Sequence, residues 1–125
     1  MSEKTETLRE SIAQYQFEVI CGLLNHPEMA SEVTPHLFAG SPASVCIVKA
    51  IKRGARGLDG ICAEAAKIAK TSLVRFPVLA TIEMAFRADS MRRSCLSWRI
   101  AELKRMARKL YVAERSESKQ ARQAA

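Results

Sequence analysis

Leu8, Ile12, Tyr15, Val19 and Leu23 recur at spacings of three and four, the period of one helix face, and predict a helix over residues 6–24. Phe17, Ile20, Cys21 and Leu24 widen the apolar face, so the second half of that helix is expected to be buried. Asn25-His26-Pro27 ends it, because the residue before a proline disfavours the helical region. Pro27 suits the first turn of a short helix over residues 28–33, which Thr34-Pro35 stops. Leu37 and Phe38 follow as core anchors, and Ala39-Gly40-Ser41 as a turn. Ser41 as cap and Pro42 at the first helical position open a third helix over residues 42–53, with Val45, Ile47, Val48 and Ile51 apolar.

Gly54 breaks the third helix, and Asp59 is the expected cap of a fourth, with Ile61, Ala65, Ile68 and Ala69 inward. A fifth runs over residues 76–87, with Val78, Leu79, Ile82 and Phe86 as buried candidates. Asp89 or Ser90 caps the last and longest, residues 90–114. There Leu96, Ile100, Leu103, Ala107 and Leu110 alternate spacings of four and three over two heptads, a coiled-coil-like seam. Two heptads are short for a free coiled coil, and packing onto the domain is the expected use of the seam. The one short strand candidate, Val45-Cys46-Ile47-Val48, follows a helix start signal and is read as helix. The pattern predicts an all-α, compact bundle of about six helices ending in a long basic helix. Residues 6–115 form its single domain, residues 1–5 a flexible N-terminus and residues 116–125 a polar, disordered tail.

Charge sharpens this picture. The 125 residues carry a net charge of +7, and the excess is segregated. Residues 1–86 hold nine Lys/Arg against nine Asp/Glu, whereas residues 87–125 hold eleven against four. A segregated basic element points to an acidic partner, nucleic acid or protein. No apolar run approaches the roughly 20 residues of a membrane helix. The polar start, without a basic then apolar leader, gives a cytoplasmic expectation. Cys21, Cys46, Cys62 and Cys95 lie far apart and outside any CxxC or Cys/His cluster. They are expected to be reduced thiols, mostly buried, with no metal.

Catalytic signatures are missing. Gly54, Gly57 and Gly60 are not followed by the Lys-Ser/Thr of a phosphate loop, and no nucleophile motif is present. His26 and His36 each adjoin a proline in an expected loop, where a surface or capping role is the expectation. No catalytic residue and no cofactor is assigned, and the chain is expected not to be an enzyme.

From Phe17 to about Arg115 the chain resembles the N-terminal domain of DnaB-type replicative helicases and the helicase-binding C-terminal domain of bacterial primases. The resemblance rests on Val19-Ile20-Cys21-Gly22-Leu23-Leu24-Asn25-His26-Pro27-Glu28, on Val33-Thr34-Pro35-His36-Leu37-Phe38, on Ile47-Val48-Lys49-Ala50-Ile51 with Gly57-Leu58-Asp59, and on the long Arg- and Leu-rich last helix. It implies a six-helix globule ending in a helical hairpin of the fifth and sixth helices that docks partners or second copies. The implied partner is a replicative helicase or primase. The chain has neither the helicase's ATPase motor nor the primase's catalytic domains, so a loader, adaptor or inhibitor is implied. Phe86, Leu96, Ile100, Leu103, Met106 and Leu110 are then core or contact candidates. Trp98 and Tyr111 are the favoured contacts, since large amphipathic rings often anchor interfaces.

The alternative reading is a small DNA-binding protein. Arg92, Arg93, Arg99, Lys104, Arg105, Arg108 and Lys109 surround the last seam and would neutralise phosphates. The third and fourth helices, joined by Arg53-Gly54-Ala55-Arg56-Gly57, also imitate a helix-turn-helix.

Overall fold

The computed structural model describes residues 3–124. Among these there is no strand; the chain forms five α-helices and two short 3-10 helices. They are α1 (Glu3–Asn25), the 3-10 helices Pro27–Glu32 and Pro35–Phe38, α2 (Pro42–Lys52), α3 (Gly57–Ile68), α4 (Ser72–Arg87) and α5 (Arg93–Ala124). The all-α class and the long last helix match the sequence pattern, and Val45 to Val48 are helical.

The core forms where α1 is apolar all round. Positions 19–23 are all buried, because α2, α4, α5 and the first 3-10 helix each touch α1. Phe38, Ile47, Ile51, Ile82 and Leu96 fill the space around them. Polar side chains fasten the irregular segments. Buried Gln16 donates Nε2–H to the Leu37 carbonyl at 2.7 Å, and Lys52 Nζ donates to the Val33 carbonyl at 2.6 Å. His26 donates Nε2–H to the Met91 carbonyl at 2.6 Å, and Asn25 Oδ1 accepts from the Met91 amide at 2.9 Å. The motif Asn25-His26-Pro27 thus ends α1 and also clasps the α4–α5 linker.

Turn chemistry explains the ends of α2. Pro42 occupies its first turn, although Ser41 Oγ donates to Ser44 Oγ and caps no amide. At the other end the Gly54 amide bonds the Ile51 carbonyl and the Ala55 amide bonds the Ala50 carbonyl. This closing pair needs a left-handed residue, and Gly54 has φ +100°. Asp59 lies within the first turn of α3 instead of capping it; there its charge complements the helix dipole.

Larger expectations also differ from the structure, and α5 begins at Arg93, beyond the expected caps Asp89 and Ser90. Thr5, expected in a flexible end, is buried and donates Oγ1–H to Glu117 Oε1 at 2.6 Å. Residues 116–124, expected to be disordered, continue α5. α4 begins at Ser72, so Pro77 stands in its sixth position and leaves the Leu73 carbonyl without its helical donor. Finally, α5 lies along α1 rather than forming a packed hairpin with α4. The pairing is antiparallel: Gly22 meets Leu96, Glu18 meets Arg99, Arg9 meets Glu114 and Thr5 meets Glu117. The seam predicted for α5 is real, and its partner is the first helix.

Candidate functional site

The α5 seam decides which candidates can reach a partner. Leu103 and Met106 are buried with Leu96 and Ile100 where α5 meets the rest of the domain; Leu103 is wholly a core residue, and Met106 shows only a small edge at the surface. Leu110 is partly buried at the same seam. Trp98 stays 54% exposed, its ring 5.9 Å from that of Tyr15 on α1. Tyr111 is 61% exposed, and the Arg115 guanidinium lies 5.7 Å above its ring, a cation–π contact. Both rings are accessible to solvent.

The seven cationic candidates divide by their neighbours. Arg99 is not free: it meets Glu18 at 3.5 Å, donates to the Cys95 carbonyl and is mostly covered, so it fastens α5 to α1. Arg93 faces Glu28 at 3.6 Å and Arg105 grips Glu102 at 2.6 Å. The hydrogen bond from Arg105 holds the Glu102 carboxyl below its ordinary pKa and raises the guanidinium in turn. Arg92, Lys104, Arg108 and Lys109 are exposed, with no ion pair among the described residues. Lys104, Arg108, Arg115, Lys119 and Arg122 follow one another at spacings of four, seven, four and three. This spacing draws one outward line along α5, a helix of 32 residues or about 48 Å.

The helix-turn-helix imitation does not extend to its surface. The outward positions of α3 are Leu58, Asp59, Gly60, Ala63 and Lys67, one acid against one base. The turn's arginines are engaged within the fold. Arg53 Nη1 meets Glu64 Oε1 at 3.1 Å, and Arg56 Nη1 donates to the Ile51 and Ala55 carbonyls. Neither is positioned to read a groove.

Two surfaces escaped the sequence reading. The first is the outer side of α4. Leu73 is 88% exposed, Phe76 74% and Met84 58%, and Pro77 and Ala80 between them are also exposed. Leu79 and Phe86, expected to be buried, flank this stripe half-exposed, because α4 buries only the Val78, Ile82 and Ala85 side. Positions 73, 76, 77, 80 and 84 share one side of a helix, a signal that was present but masked by the equally apolar inner face. The second is a groove of about 1070 Å³ between the N-terminal half of α1 and the middle of α5.

Among the described residues no group of three or more His, Cys, Asp or Glu is placed to hold a metal. His36 Nδ1 hydrogen-bonds Thr34 Oγ1 at 2.6 Å, a local loop contact. Burial pushes the thiols of Cys21, Cys46 and Cys62 upward, which favours the protonated form at neutral pH. No helix among the described residues is long and apolar enough to cross a membrane. No protein-family model, curated protein or solved structure matches this chain.

Proposed function

We propose that this chain is a non-catalytic interaction module that docks on a larger protein through the outer side of α4. The carrying observation is the solvent exposure of Leu73, Phe76 and Met84 on one helix side, which a lone domain would otherwise bury. Apolar side chains on a short, well-anchored helix supply the desolvated centre that protein interfaces use. The rim, with Lys70 and Arg87 exposed against Glu83, favours a partner surface carrying acid around an apolar centre. The resemblance of residues 17–115 to helicase and primase docking domains supports a replicative helicase or primase as that partner, with this chain as its loader, adaptor or inhibitor.

The test is light-scattering chromatography with a replicative helicase and with a primase, at low and high salt. Co-elution that survives salt and is lost in Leu73→Ser/Phe76→Ser supports the proposal. No complex with either protein, or a complex indifferent to the double variant, refutes it.

A second reading, nucleic-acid binding, is favoured by the outward cationic line of α5. Phosphate contacts along it would make binding fall steeply with salt. A mobility-shift series in which Lys104→Ala, Arg108→Ala and Lys119→Ala each flatten the salt slope supports it. No shift at low salt removes it.

A further inference from the structure

We infer that the groove between α1 and α5 is a second docking site, which takes an amphipathic, acid-flanked helix of a partner protein. This inference is independent of the α4 surface. Two antiparallel helices leave a furrow along each side, and a third helix is the element that fills such a furrow at a spacing of 8–10 Å. Here the furrow is open. Its floor is apolar, from Leu8 on α1 to Met106, Val112 and Ala113 on α5, and Val112 is 59% exposed. Small side chains, Thr7, Ser11 and Ser116, line it as well and allow a backbone to come close.

The rim selects the charge. Lys4, Arg105, Arg108 and Lys109 line the groove against a single acid, Glu3. Arg108 and Lys109 have no ion pair among the described residues, so they are available to a carboxylate. Residues 3–11 of α1 span about 12 Å and residues 105–116 of α5 about 16 Å, enough for two to three turns of an added helix. Nucleic acid fits this place less well. Phosphates gain nothing from Leu8, Met106 and Val112, and a duplex is too broad for a furrow between two helices.

The probe is a fluorescein-labelled, side-chain-stapled helix of about 14 residues with Leu at helical spacing and Glu on both flanks, titrated with the full chain by anisotropy. The expected result is saturable binding. Lys109→Glu and Val112→Asp, both at exposed positions, should each weaken it about tenfold or more with unchanged circular dichroism. Phe76→Ser should leave it unchanged, which separates this site from the α4 proposal. Three results would overturn the inference: no binding, equal binding of a scrambled peptide of the same charge, or displacement by DNA with no effect of Val112→Asp.

Discussion

Gly22 of α1 lies directly beneath Leu96 of α5: a β-carbon added at Gly22 would stand 2.6 Å from Leu96 Cδ1 and 3.0 Å from Met91 Sδ. Both residues are buried, so neither side has solvent to retreat into. Gly22→Ala gains helix propensity of about 1 kcal/mol but overpacks this crossing by about 1–3 kcal/mol. A net loss of about 1 kcal/mol in urea unfolding is therefore expected. Leu96→Ala alone should cost about 2–5 kcal/mol through its cavity. In that background Gly22→Ala should become neutral or stabilising, and a double-mutant cycle measures the coupling.

The outer and inner sides of α4 should respond oppositely to truncation. Leu73→Ser and Phe76→Ser, both far out in solvent, are expected to change stability by less than about 0.5 kcal/mol and to reduce binding of a hydrophobic dye. Ile82→Ala, fully buried, should cost about 2–5 kcal/mol. Chemical denaturation of the three variants beside the parent checks both.

The thiols should react in order of access. Cys95 is exposed, Cys62 half-buried, and Cys21 and Cys46 buried. Burial also raises the last three thiols, so less of the nucleophilic thiolate is present at neutral pH. Titration with an aromatic disulfide reagent should therefore show one fast thiol, lost in Cys95→Ser. Cys21 and Cys46 should react only on unfolding.

The Glu102–Arg105 pair on the surface of α5 should make a small part of the stability acid-sensitive. The hydrogen bond from Arg105, with the charges of Arg105 and Lys109, lowers the Glu102 carboxyl against a smaller opposing desolvation. A carboxyl lowered by folding adds stability above its unfolded pKa and loses it as pH falls through the folded value. Glu102→Gln should narrow the difference between melting temperatures at about pH 7 and about pH 3, and leave the acid limit nearly unchanged.

The helical order was legible because proline and glycine punctuate it: Asn25-His26-Pro27, Ser41-Pro42 and Gly54 each stand at an observed boundary. The α5 seam was legible too, from Leu96 to Leu110. Its partner was not, since periodicity states that a face is buried and is silent on what buries it. The same limit hid the outer side of α4. Val78, Leu79, Ile82 and Phe86 were all apolar candidates, and only tertiary packing separates buried Val78 and Ile82 from half-exposed Leu79 and Phe86. The sequence does not separate Arg99 from the exposed cations around it, because Glu18, its partner, lies 81 residues earlier. The polar stretch 116–124 shows no helix signal of its own, because a contact that holds it, Thr5 to Glu117, spans 112 residues. Local composition records neither relationship.

The pairing of α1 with α5 also orders events in time. The N-terminal half of α1 is made well before the helix that covers it. Until α5 emerges, Leu8, Ile12 and Tyr15 have no neighbour along that side, while Ile20, Leu23, Ile47 and Ile82 can already collapse together. Closing so large a loop carries an entropic cost that grows only with the logarithm of its length, but it delays the step. A growing chain therefore cannot complete the packing along α1 until the part of α5 that meets it, 112 residues away at the Thr5–Glu117 contact, has been added.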